Sequence, residues 1–247
     1  MMKGMVSGIA ALVVAVSFPA SAVAQWTAKA EAGLVAARGN SNSDSANTKL
    51  DVAREFTKWR QSIGGSAVYV SDTTGATSQR WELRGQSDYD FHPRGFWFGS
   101  GRHEEDRFSG FEHQRTFGSG LGWRFYDDPI TRLVAQVGVG YKTFTTRASL
   151  EDDGLTVIPR ARDEQVIGQG KVDFEHQLTQ TAKVLNTLVV ETGGENTFVH
   201  NDVSLQVTVI SSLALALGYS VRYNTDPPAG FDTTDRLTTL NLVYELN

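Results

Sequence analysis

Residues 80–91 read RWELRGQSDYDF, and every second side chain is of one kind. Trp81, Leu83, Gly85, Ser87, Tyr89 and Phe91 are apolar or small. Arg80, Glu82, Arg84, Gln86, Asp88 and Asp90 are polar, and five of them are charged. A strand sends successive side chains to opposite faces, so this alternation specifies a two-faced strand; helical spacing would mix the two sets. The stretch is about as long as a strand that crosses a bilayer at a tilt, ~9–11 residues. Aromatics near both ends of the apolar face suit lipid on that side and a wet lumen on the other. A long hairpin strand of a soluble sheet carries the same alternation, so the rest of the chain has to discriminate.

The N-terminus speaks for export. One positive charge, Lys3, precedes a short apolar run over residues 6–18, which ends in Pro19, Ala20, Ser21 and Ala22-Val23-Ala24. A positive start, an apolar stretch and an A-x-A ending form a secretory signal, with the cut after Ala24. A membrane anchor would need a longer apolar run without the small-residue ending. The expected organisation is therefore a signal over 1–24 and one β domain over 25–247. N-terminal sequencing of protein recovered from the envelope should start at Gln25; residues 1–24 retained would refute this. The chain has no cysteine, so neither a lipoprotein anchor nor a disulfide is available. Removing Lys3 takes 23 basic residues to 22 against 28 acidic, a net −6 that argues against nucleic acid as a partner.

Beyond the signal no apolar run is long enough for a membrane helix. An exported membrane protein without such helices has to be a closed barrel, because every backbone polar group needs a partner in lipid. Alternation marks strands over 26–36, 47–58, 60–71, 80–91, 96–107, 111–126, 131–146, 163–178, 182–190, 197–210, 213–224 and 235–246. Connections alternate in length. Short ones fall at Trp59, 92–95, 127–130, 179–181 and 211–212; longer ones at 37–46, 72–77, 103–110, 147–162, 191–196 and 225–234. Outer-membrane barrels keep short turns in the periplasm and longer loops outside. Aromatics fall into two sets. Trp26, Phe56, Trp59, Tyr89, Phe91, Phe96, Phe125, Phe174 and Tyr244 lie toward the short turns; Trp81, Phe111, Phe144, Phe198 and Tyr223 lie toward the long connections. Two belts are the signature of two membrane interfaces.

The fold class this predicts is all-β: a transmembrane, antiparallel, up-and-down barrel of about twelve strands. Arg80, Glu82, Arg84, Asp88, Asp90, Gln136, Lys142, Lys171, Asp173 and Glu175 are expected to face the lumen, opposite apolar partners of the other parity. Gly118, Gly120 and Gly122 share a face in the sixth strand, which points to close packing or an open lumen there. The expected surroundings are outer-membrane lipid and lipopolysaccharide, with the barrel assembly machinery engaged during export. Oligomeric state is not encoded in the pattern.

No constellation calls for a cofactor, a metal or catalysis. His103-Glu104-Glu105-Asp106 alternates, so His103 and Glu105 face one way and Glu104 and Asp106 the other, as rim charges do. Asp44 with the amide oxygens of 40–47 could ligate a divalent cation, but a flexible surface loop is the better reading of them. The enzyme alternative is a lipid hydrolase on the barrel wall, using His113 with Ser100 or Ser119. It needs a His and a Ser of one parity on neighbouring strands with an orienting partner, and no G-x-S-x-G motif supports it.

With the strands placed, the chain resembles the salt-induced outer-membrane proteins, a bacterial family of unknown function. The resemblance rests on Trp26, Gly33, Gly39-Asn40-Ser41, Asn47, Asp51, Asp88-Tyr89, Glu105-Asp106-Arg107-Phe108, Gly118-Ser119-Gly120-Leu121-Gly122-Trp123, Gly138, Gly140-Tyr141, Leu178-Thr179 and Leu242-Val243-Tyr244. It covers nearly the whole mature chain. It implies an exported, β-rich protein with a role in the envelope under osmotic stress, and it brings no catalytic residues. Trp123 stands where such sequences tend to have Tyr, and the chain ends Glu245-Leu246-Asn247 rather than on an aromatic.

Overall fold

The computed structural model describes residues 26–37, 43–72, 75–107, 111–150, 157–194, 196–227 and 232–246. The expected signal over 1–24, with its cleavage position at Ala24, lies outside them. So do 38–42 of the expected 37–46 loop, whose residues 43–46 belong to the second strand instead, and 151–156 of the 147–162 connection.

Strands run β1 (Trp26–Ala37), β2 (Ser43–Glu55), β3 (Trp59–Asp72), β4 (Gly75–Asp90), β5 (Gly95–Asp106), β6 (Phe111–Asp127) and β7 (Thr131–Thr146). After the two-residue β8 (Ser149–Leu150) and β9 (Val157–Ile158) come β10 (Arg162–Gln177), β11 (Ala182–Gly193), β12 (Asn196–Ile210), β13 (Leu213–Asn224) and β14 (Thr234–Leu246). Twelve of these close into one antiparallel barrel in chain order. The ring is sealed by β1 on β14, from Ala28↔Leu246 to Ala32↔Leu242, so no edge is left unpaired. β8 and β9 pair only with each other, inside the 147–162 connection.

The wall is built inside out relative to a soluble sheet. Leu34, Val137, Val139, Val166, Ile210 and Leu217 are each more than half exposed on its outer surface. With Leu83, Leu205, Leu240 and Leu242 they form a continuous apolar girdle. Apolar surface on this scale is not left facing water. The buried set, by contrast, is rich in charge: Asp88, Glu104, Asp106, Lys142, Glu191 and Arg222.

Several expectations need correction. Phe96 and Phe198 do not join the aromatic belts; they are 2% and 4% exposed and point into the barrel. Phe96 fits because a Cβ at Gly122 would strike its ring. The small face of β6 is therefore a socket for side chains from other strands, Gln169 over Gly118 among them. Phe144 shares the inward face of Lys142 on β7 and packs edge-on against Phe111, with ring centres 5.3 Å apart; Phe56, Trp59, Tyr89, Phe91, Phe125 and Tyr244 are exposed at the short-turn end and Trp81 and Tyr223 toward the other. The ladder runs into the expected connections 103–110 and 191–196: β5 continues to Asp106 and β11 to Gly193, because cross-strand hydrogen bonding continues through residues whose local preference is for turns. Among the short turns, Asp128 accepts the backbone N–H groups of Ile130 and Thr131 at 2.9 and 2.8 Å, and Ser211 adopts the left-handed φ of 44° in a two-residue turn.

Candidate functional site

The interior holds a cavity of about 620 Å³. Among its lining are Glu82, Arg84, Asp88, Gln136, Lys171, Asp173 and Glu175, seven of the ten residues read from sequence as lumen-facing. The other three point inward above or below it. Arg80 lies 3.9 Å from Asp106, Lys142 is 4% exposed against Glu191, and Asp90 pairs with Arg124 at 2.8 Å near the short turns.

What the structure adds is how they are joined. Within the cavity, ion pairs follow the wall: Arg84 with Asp51 and Glu82, Lys171 with Asp173 at 2.8 Å, and Lys183 with Glu175 and Glu245 at 3.0 and 3.2 Å. Both signs alternate around the space, so no single charge dominates it.

Toward the long connections the pairs leave the wall and cross the lumen. Arg222 on β13 donates to both oxygens of Glu104 on β5, at 2.7 and 2.9 Å. These strands are six apart in either direction around the ring, so the bidentate pair spans the full diameter. Arg102 on β5 reaches Glu191 on β11 at 2.6 Å, and Lys142 on β7 donates to the other oxygen of Glu191 at 3.0 Å. Phe198 sits at the hub, with Arg102, Lys142 and Arg222 at 5.5, 5.3 and 5.1 Å from its ring centre. Cations held over an aromatic face gain from the ring quadrupole. Planar guanidinium on carboxylate is also the strongest such contact that two side chains make. The cluster is a cross-lumen closure tying five strands together.

Sequence reasoning missed most of this closure. The sequence pattern makes Glu104 a rim charge, whereas it is 2% exposed inside the barrel; only its divergence from His103 is legible locally. Glu191 was placed in a loop, and Arg102 and Arg222 carried no role. Their parity was readable, but contacts over the diameter leave no trace in local spacing.

The residues named for a wall hydrolase do not assemble. Ser100 lines the interior cavity. His113 and Ser119 both lie on β6, six positions apart, roughly 20 Å along the strand, and Ser119 donates to the Phe98 carbonyl at 2.8 Å. A different His–Ser contact exists in the lumen: His200 Nε2 lies 3.1 Å from Ser220 Oγ and 3.0 Å from Asp202 Oδ1. Carboxylate and hydroxyl share one ring nitrogen, so Asp202 is not placed to orient the imidazole from its far side as a relay requires.

A closed antiparallel barrel with an apolar exterior and a charged interior is a β-barrel of the outer-membrane type. The chain belongs to the family described as "Protein of unknown function, DUF481", whose model matches residues 30–246. It is 28% identical over 233 residues to "Uncharacterized protein YdiY" of Escherichia coli (strain K12), covering 92% of this chain and 86% of that protein. Among solved structures it is similar to the translocator domain of the autotransporter NalP from Neisseria meningitidis, with a TM-score of 0.51, 12% identity, and 90% and 88% of the two chains covered. It is also similar to the NanC porin, with a TM-score of 0.46, 11% identity, and 89% and 97% covered. The first likeness shows the barrel fold.

Proposed function

We propose that the protein is an outer-membrane barrel closed at rest: a narrow, occluded path rather than an open porin or an enzyme. The observation that carries this is the Arg222–Glu104 pair across the full diameter. Beneath it the cavity is wide enough for water and small ions, with mixed charge that gives weak selectivity. Opening needs only side chains to part, since the wall itself is a complete ladder.

The exterior favours outer-membrane lipid and lipopolysaccharide as surroundings, with barrel assembly machinery for insertion. The negative net charge disfavours nucleic acid. A role in the envelope under osmotic stress, as the likeness to salt-induced proteins suggests, fits a path that is shut until needed.

The test is current through a planar bilayer. Refolded mature protein should give no steady conductance at low voltage; long-lived open steps in the wild type would overturn the closed reading. Turnover of phospholipid or lipid A by the same preparation would instead support the hydrolase alternative. Orientation is tested separately. Residues 147–162 form the longest connection and should lie outside the cell, so a tag after Asp153 should be cut by protease on intact cells. Cleavage only after lysis would invert the barrel.

A further inference from the structure

Outside the lumen, one patch of the outer wall differs from the rest of the girdle. At the long-connection end of β6, β7 and β10 lies a pocket of about 480 Å³ lined by His113, Arg115, Thr143, Thr145, Arg160 and Arg162. Directly below it, on the same strands and β5, is a shallow hollow whose floor is Gly99 and Gly101, walled by Phe117, Val139, Tyr141 and Val166. Arg115 precedes Phe117 by two positions, Thr143 follows Tyr141 by two, and Arg162 precedes Val166 by four. The basic pocket therefore stands immediately above the apolar hollow on one face.

The nearby carboxylates are engaged. Glu112 pairs with Arg160 at 2.8 Å. Glu164 takes the Tyr141 hydroxyl. Glu105 accepts Trp81 Nε1 at 3.1 Å and lies 3.5 Å from His103. Arg115 and Arg162 are exposed and have no carboxylate partner among the described residues. They flank β7 opposite Thr143 and Thr145, about 12 Å apart in backbone from two strand spacings and a two-residue stagger, so their long side chains can converge on one anion. Arg115 also donates to His103 at 3.4 Å, and His103 packs edge-on against Trp81. A belt tryptophan marks the headgroup level, which places the arginines at the depth of lipid headgroups.

We propose that this face binds a phosphorylated glycolipid of the outer leaflet, its phosphate on Arg115 and Arg162 and one acyl chain in the glycine-floored hollow. Guanidinium groups match phosphate oxygens in geometry and charge, and a Cβ at Gly99 would meet nothing within 4 Å, which leaves room for a chain. The site rests on the reading that the long connections face outward.

Native mass spectrometry of refolded mature protein, with bis-phosphorylated lipid A and with the same lipid stripped of phosphate, tests it. The wild type should bind the phosphorylated form about tenfold more tightly, the scale of one charge-assisted contact pair. Arg115→Gln with Arg162→Gln should abolish the preference. Arg236→Gln, an exposed arginine on β14 at the opposite side of the ring, should keep it. Gly99→Leu should weaken both lipid forms alike by filling the hollow. Heat-modifiable gel migration confirms that each variant is folded. Equal binding of the two lipids by the wild type, or an unchanged preference in the double variant, overturns the proposal. Competition by inorganic phosphate alone reassigns the pocket to a free anion and also overturns it. Failure here with the tag after Asp153 still cut on intact cells rejects the lipid site alone; protection of that tag rejects the orientation beneath it.

Discussion

Arg222→Met should lower the stability of the refolded barrel by about 3 kcal/mol, near the bottom of the range for breaking one side of a buried ion pair. It should also give long-lived current steps that the wild type lacks. The loss is large because Glu104, 2% exposed, keeps its charge while its bidentate partner is gone. It is not larger because Arg102 remains 3.9 Å away and can turn toward it. Adding Glu104→Gln should recover much of the stability, since no charge is then stranded, while the current persists because the span across the lumen is still missing. Urea midpoints for wild type, both single variants and the double variant give the coupling of the pair directly. A near-zero coupling with a silent bilayer would mean that this pair does not close the barrel.

Leu83→Arg and Arg84→Leu form the second contrast, at adjacent positions and nearly one depth. Leu83 is 49% exposed on the outer wall, so an arginine there enters hydrocarbon and should cost roughly 2–4 kcal/mol near the midplane. Arg84 faces the cavity and pairs with Asp51 and Glu82. From sequence its removal is expected to cost little, as the loss of one lumen charge. The structure revises the reason, because two carboxylates lose a partner. Both Arg84 and Asp51 are about a third exposed to the cavity, so screening keeps the cost within about 1 kcal/mol. Current through an opened variant, such as Arg222→Met, should shift toward cations when Arg84→Leu is added. Refolding into liposomes measures both stabilities. Equal destabilisation, or tolerance of Leu83→Arg with failure of Arg84→Leu, would mean that the apolar face points inward and the barrel is a soluble one.

The alternation in residues 80–91 determined, by itself, which side chains look out and which look in, because a pleated strand has a period of two whatever its neighbours are. The same rule placed Val137 and Val139 outside and Lys171 and Asp173 inside. Turn formers such as Asp127-Asp128-Pro129 and His92-Pro93-Arg94-Gly95 marked where the chain reverses. Strand number and closed architecture were thus written locally; the alternation of long and short connections was not, since β3 ends at Asp72 with β4 starting at Gly75, and β11 ends at Gly193 with β12 starting at Asn196. Parity alone also carried Glu104 to the inner face, yet nothing local said what it would meet there. Its partner Arg222 lies 118 residues away, brought opposite only when the twelfth barrel strand closes on the first. The same closure turns Phe96 and Phe198 into the lumen, where Gly122 leaves a socket for one and three cations surround the other. An aromatic near a strand end reads as an interface anchor until the opposite wall offers it a hole. The sequence determined the faces of the wall through the geometry of single strands. Only the tertiary structure decided that ion pairs span the lumen, because a contact across a diameter depends on ring size and stagger, which belong to the closed sheet as a whole.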